Sequence, residues 1–294
     1  MYVNINLNRL LSTIFNDIVQ LFRTSSPEHF DGACAVVALT GLERLIYPDA
    51  YAADGASAVA LERDMGVVTS VRAVVVPSEV ARRDVIARAG RMPSDVVVVG
   101  APCLRARHTF GPRSAVVVPG AALSHRNAVG AIAAYAALPT TMRDSHRLVL
   151  GTGRRGIGRY LARAARAAGI SAVLAAPIPA CLERAAVALF PAFWDGYSPG
   201  AVEALALGVP IAASTSSAAA ELATDPELLF DPRDEHALTR ALARALATDA
   251  RRPAPRTARD CGRAVREVWQ RVADQPLAGL PNLLPSESDA PLDG

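Results

Sequence analysis

Lysine is missing from this chain of 294 residues: all 31 of its basic residues are arginine. Aromatic residues are also scarce, at 5%, and no block of arginines interleaves with them. With the formal net charge of +3 spread thinly, nucleic-acid binding gains no support. Cysteine is limited to Cys34, Cys103, Cys181 and Cys261, far apart and without metal-ligand spacing. They read as free thiols of a reducing compartment, so the expectation is a cytoplasmic protein with no metal site. No uninterrupted apolar run is long enough to span a bilayer. Residues Met1 to Thr24 lack a basic leader, and Asn8, Arg9, Asn16 and Asp17 break their apolar stretch, which excludes a signal peptide.

What the chain has in abundance is Ala, Val and Leu, half of it being hydrophobic. Leu7, Leu10, Leu11, Ile14, Phe15, Ile18 and Phe22 follow helical spacing, a stripe that suits a core helix or one lying on a membrane surface. Beyond it, short apolar runs alternate with Ala/Arg-rich helical segments. Strands are expected over 35–39, 73–76, 96–99, 115–118, 148–150, 172–174, 187–190, 210–213 and 228–230. Helices are expected near 56–64, 79–89, 128–137, 156–168, 200–207, 235–247 and 258–273. Continuous apolar strands alternating with amphipathic helices predict an α/β fold with parallel sheets covered on both faces. The segment 101–113, with two prolines and no hydrophobic period, is the interdomain linker in this reading. From Gln275 the Pro/Ser/Asp-rich end reads as disordered.

Three elements could carry chemistry. Gly151-Thr152-Gly153-Arg154-Arg155-Gly156 follows a strand in the G-x-G-x-x-G pattern of dinucleotide sites. The next strand, however, lacks the acid that would hold a ribose. A glycine-rich strand-to-helix turn is therefore the better reading. Next comes Gly120 to Asn127. Gly120 admits close approach of a ligand to the backbone, and Arg126 adds a cation at a helix start, as a diphosphate cradle requires. The same residues also read as a surface arginine beside a capping Asn127. Third, Asp195-Gly196-Tyr197-Ser198-Pro199 turns into a helix, capped by Ser198 and stopped by Gly208, in which Glu203 is the only charge. Val202, Leu205, Ala206 and Val209 form its buried stripe, with Glu203 on the flank. An ionised carboxylate against apolar surface costs several kcal/mol unless hydrogen bonds satisfy it, roughly as for other buried ions. Ligand hydroxyls would do so; solvent or a remote backbone donor would do equally well. Asp195 and Glu203 are both expected to face a cleft at the carboxyl ends of the strands.

The ordered set of these elements, over Ser114 to Ala250, resembles the retaining glycosyltransferases of family four, the group 1 type with the GT-B fold. Ser124-His125-Arg126-Asn127 resembles the family's Pro-(His/Arg)-Lys-Asn turn. Arg147 to Gly153 resembles its Leu-x-(Ile/Val)-x-Gly-x-Gly strand, and Asp195 to Glu203 lies on its Glu-x7-Glu motif. Glu203-Ala204-Leu205-Ala206-Leu207-Gly208-Val209-Pro210 continues that motif, and Glu221 and Trp269 match later positions.

The resemblance implies two Rossmann-type parallel-sheet domains with the N-terminal one incomplete: 1–110 on the acceptor side, 111–250 binding the nucleotide sugar, and 251–294 a crossover helix and tail. It implies a donor site of Gly120, His125, Arg126, Asn127, Gly151, Gly153, Gly196, Tyr197, Ser198 and Glu203. Arg126, Asp195 and Glu203 would be its catalytic set: Glu203 on the donor ribose, Asp195 on the sugar, Arg126 on the diphosphate. It implies retaining hexose transfer to a glycan or lipid-linked acceptor, with no cofactor or obligatory metal. The implied setting is cytoplasmic, at the inner membrane face where the acceptor is lipid-linked. The departures are Asp195 in place of Glu, Thr40-Gly41 in place of His-Asp, and no room before residue 33 for the first strands. The shortened acceptor half and Thr40 favour the alternative, a non-catalytic subunit that binds nucleotide sugar or partners a complete transferase, while Glu203 and Arg126 favour retained donor binding. An exposed sheet edge would favour self-association or a protein partner.

Overall fold

The computed structural model of the chain describes residues 36–39, 42–47, 65–66, 68–103, 113–151, 157–175, 181–223, 225–247 and 256–274. The expected helices near residues 7–22 and 56–64, Thr40, Gly153 with its glycine-rich loop, Cys34 and the C-terminal tail lie outside them.

Two parallel sheets organise the described chain. The first holds β1 (Val36–Ala38), β2 (Ala73–Val76) and β3 (Val96–Val98) in the order β1-β2-β3. Between them lie α1 (Glu43–Ile46) and α2 (Glu79–Ala89). Alternation along β2 sends Val74 and Val76 to one face, against Ala81 and Val85 of α2. Ala73 and Val75 go to the other face, covered by Val268 and Val272 of the last helix.

The second sheet has six parallel strands: β4 (Ala115–Val118), β5 (Arg147–Gly151), β6 (Ala172–Ala175), β7 (Ala185–Phe190), β8 (Ile211–Ser214) and β9 (Leu229–Phe230). Their order is β6-β5-β4-β7-β8-β9, the doubly wound arrangement in which the strand order reverses between β4 and β7. The helices are α3 (Ala128–Ala136), α4 (Thr140–Ser145), α5 (Ile157–Ala167), α6 (Pro199–Ala206) and α7 (Glu235–Ala247). Val116 and Val118 of β4 enter one core with Ile132, Leu161 and Leu242. Ala115 and Val117 enter the other, with Ala204 and Leu205 of α6. Both sheet faces are thus covered, which leaves the carboxyl ends of β4 and β7 as the place where sheets of this kind take ligands.

The last helix, α8 (Ala258–Ala273), returns to the first sheet, entered through a Thr257–Asp260 capping box. Departure and return run side by side at this sheet. Cys103 pairs with Thr257 in a parallel bridge, and its N–H donates to the Arg256 carbonyl at 2.9 Å. Arg256 Nη1 reaches the Val99 carbonyl at 3.1 Å. Its side chain lies across Gly100, where an added Cβ would stand 2.9 Å from Arg256 Cδ.

Candidate functional site at the sheet's switch point

Doubly wound sheets take ligands at the carboxyl ends of the strands where the order reverses, here β4 and β7, and Gly120, Arg126, Asp195 and Ser198 come together there. After β4, Gly120 takes a positive φ of 68° and turns the chain beneath the Arg126 side chain. Residues Ser124–Arg126 form a single 3-10 turn. Asn127, in the left-handed region at φ 52°, then starts α3. Its side-chain oxygen accepts from Gly130 N at 3.1 Å, and its amide donates to the Pro232 carbonyl at 3.2 Å. Asn127 is buried, with its side-chain amide engaged in capping α3 and in the bond to Pro232.

After β7, residues Pro191 to Ser198 cross above the sheet into α6. Asp195 is fully buried. Its Oδ2 forms an ion pair with Arg126 Nη1, accepts from the Ser198 hydroxyl, and has the Ser217 hydroxyl at 3.4 Å. Its Oδ1 accepts from Tyr197 N at 3.2 Å. Backbone bonds to Ser216 and Ala218 fix the residue on both sides. Against expectation, Asp195 does not face the cleft. A carboxylate one methylene shorter than Glu turns inward and holds the arginine that follows β4 to the turn that follows β7. A charge-assisted pair bridging the switch point results, with Arg126 itself still partly exposed.

Two local expectations are corrected with it. Ser198 is the N-cap of α6 by position, but it makes no cap bond, because its hydroxyl goes to Asp195. The amide of Tyr197, a donor-site residue in the resemblance, likewise donates to Asp195. Within the first turn of α6, Pro199 has no N–H, and Ala201 and Val202 both donate to the Ser198 carbonyl at 3.0 and 3.3 Å. Gly200 remains as the amide that neither carries a ring nor donates to Ser198. A Cβ there would lie 3.1 Å from Pro119, so glycine lets α6 pack on the β4 loop.

Glu203 sits half-buried on the flank of α6, while Ala201, Val202, Ala204 and Leu205 are buried; Ala206, expected in the stripe, is itself half-buried. At the other end of α6, Arg113 closes the helix. Its Nη1 and Nη2 donate to the carbonyls of Gly208 and Leu207 at 2.5 and 2.8 Å, where the helix dipole is negative. Nothing local in the sequence pointed to Arg113, which lies 94 residues before Leu207. The Tyr197 hydroxyl is held well above the ordinary tyrosine value, first by burial and then by Glu203, Cys261 and Asp195. Glu203, Tyr197 and Cys261 of α8 therefore share one neighbourhood.

His125 is 2% exposed and stacks on Tyr47, which follows α1, with ring centroids 4.7 Å apart. Burial, reinforced by Arg126, lowers its pKa from 6.5 to about 4 and keeps it neutral near pH 7. It reads as a wall of the site rather than as a cation for the donor. Gly151 ends β5 and accepts from Ala121 N at 2.9 Å, drawing the β4 and β5 loops together. Among the described residues no group of three or more His, Cys, Asp or Glu side chains could hold a metal ion. No helix among them is long and apolar enough to cross a membrane.

Comparison with known proteins bears on the fold that carries these residues. Residues 113–248 match the family model described as glycosyl transferases group 1. The O-antigen chain mannosyltransferase B of Escherichia coli is 27% identical over 160 residues, covering 52% of this chain and 42% of the relative. The chain thus spans less than half the length of that curated relative. Sucrose-phosphate synthase from Thermosynechococcus elongatus superposes with a TM-score of 0.58 at 18% identity, covering 81% of this chain and 63% of that one. HepE from Anabaena, solved with UDP, gives 0.58 at 14% identity, covering 80% and 72%. At such identities these structures establish the fold, two parallel-sheet units of the GT-B type. Residues 113–248 of this chain are thus similar to the group 1 glycosyl transferases, within a fold of the GT-B type.

Proposed function

We propose that this chain is a glycosyltransferase that moves a hexose from a nucleotide-diphosphate sugar to a glycan or lipid-linked acceptor with retention of anomeric configuration. The observation that carries the reading is the Asp195–Arg126 pair at the switch point of a doubly wound sheet, beside the first turn of α6 and the half-buried Glu203. Open parallel sheets bind ligands at that place, and a fixed guanidinium there suits a diphosphate. The names of two similar proteins fit: the Escherichia coli relative is a mannosyltransferase, and the Anabaena structure holds UDP.

In this reading Arg126 and the Gly200 amide stabilise negative charge as the diphosphate departs. Glu203 accepts the ribose hydroxyls. Asp195 fixes the direction of the Arg126 guanidinium instead of touching the sugar. No metal is required where arginine supplies the positive charge. Transfer takes place in the cytoplasm, at the membrane surface if the acceptor is lipid-linked.

A second reading has its own support. Arg126 already has a carboxylate partner within the fold. A donor-domain-like subunit that binds nucleotide sugar without turning it over, or pairs with a complete transferase, is compatible with that arrangement.

Calorimetric titration with UDP, GDP and their hexose conjugates tests both readings. Glu203→Ala and Arg126→Ala should each weaken binding by about tenfold or more, the value of a hydrogen bond to a charged group. Absence of binding by every nucleotide tried would remove both readings. Binding without hydrolysis or transfer across a panel of glycan and lipid-linked acceptors would select the second.

A further inference from the structure

The turn that carries Asp195 is held from both sides, and one side belongs to the other sheet's unit. Trp194, nearly buried, donates its indole N–H to Asp84 Oδ2 of α2 at 2.6 Å. Two residues on, the Gly196 carbonyl accepts from the Ser78 hydroxyl at 2.7 Å. The same Ser78 oxygen caps α2 by accepting from Ala81 N at 3.0 Å. Gly196 cannot carry a side chain here: a Cβ would stand 2.9 Å from the Trp194 ring and 3.5 Å from Ala81. Glu221, from the segment that follows β8, completes the junction by accepting from Glu79 N and Val80 N of α2 at 3.1 Å each. A carboxylate on two first-turn amides satisfies orphan donors and complements the helix dipole.

We propose that Asp84 is a positioning residue for the donor site: acting through Trp194 from the opposite half, it sets the 194–198 turn in the shape that aims Asp195 at Arg126. The inference rests on the reading that Arg126 and this turn receive the donor diphosphate. Donor affinity then depends on a helix that does not touch the donor, and the two halves are joined before any nucleotide arrives.

The test uses the full chain with UDP and GDP as probes. Asp84→Ala and Trp194→Phe should each weaken whichever nucleotide binds by about tenfold, and the double variant should be no worse than either single one. Asp84→Asn should restore most of the affinity, because its amide oxygen still accepts from the indole. Asp84→Ala binding like wild type, or losses that add in the double variant, would overturn the proposal. Ser78→Ala, which removes a neutral hydrogen bond, should cost about threefold and serves if Asp84→Ala fails to fold. A second readout needs no nucleotide. The chain has 2 tryptophans, so Trp269→Phe leaves Trp194 as sole reporter. Asp84→Ala in that background should shift its emission to the red and raise its quenching by acrylamide; unchanged fluorescence would overturn the contact itself. If wild type binds neither nucleotide while Trp194 still becomes exposed, the donor reading falls, and the positioning role with it, though the junction between the halves stands.

Discussion

Burying a carboxylate completely is expensive, and at Asp195 the cost is offset by three side chains and one amide. Arg126, Ser198 and Ser217 surround Oδ2, and Tyr197 N–H satisfies Oδ1. Removing one partner of such a pair leaves an uncompensated charge, which is worse than never having had the pair. Asp195→Ala should therefore lower stability by about 3–5 kcal/mol in urea unfolding. Asp195→Asn keeps the hydrogen-bonding shape and should lose clearly less. Equal losses would mean that the ion pair contributes nothing beyond shape. His125 adds a pH dependence with a definite sign. Its pKa is about 4 in the fold and 6.5 ordinarily, so between those values the unfolded chain binds more protons. The stability from its neutrality is complete above pH 6.5 and is lost as pH falls towards 4, by up to about 3 kcal/mol. His125→Phe, which keeps a ring against Tyr47, should flatten that limb of the stability profile between pH 7 and 4.

At the scale of elements, α6 is the piece on which the site depends, and it is short: 8 residues with a proline start. Isolated helices of this length do not persist in water, so its ends must be held from outside. Arg113 holds the C-terminal end through two carbonyls. Arg113→Met should cost about 1–2 kcal/mol in thermal or urea unfolding and loosen α6. Its effect on nucleotide affinity should follow that of Glu203, since Arg113 anchors the helix that carries Glu203. Elements were readable from the sequence where apolar residues run together: all nine expected strands exist, because parallel strands buried on both faces need no polar alternation. Helices α2, α7 and α8 were equally plain, through caps and periodic apolar positions. Helix α4 was missed because Thr140 to Ser145 is polar, short and without a period. The neighbourhood of the site was legible from motif order, but the direction of Asp195 was not. Its partners Arg126 and Ser217 come from other turns, and only the folded sheet brings them to one point.

Considered whole, the molecule is two sheet units sewn together by α8, the 99–103 segment and the junction at the start of α2. Val268 and Val272 of α8 cover a sheet face of β1 and β2 that would otherwise be bare. Val268→Asp would put a charge into that contact at a cost of several kcal/mol, of the order set by unpaired buried ions. Wild type should then unfold in one urea transition, and Val268→Asp in two, with the β1–β3 unit melting first; a single transition in both would show that α8 is dispensable to that unit. The bond between Cys103 and Arg256, with the Arg256 guanidinium on the Val99 carbonyl, has a mechanical meaning as well. Together they pin the segment leaving the first sheet to the one that re-enters it. A side chain at position 100, where φ is 81° and a Cβ would stand 2.9 Å from Arg256 Cδ, would push that guanidinium aside and loosen both ties at once.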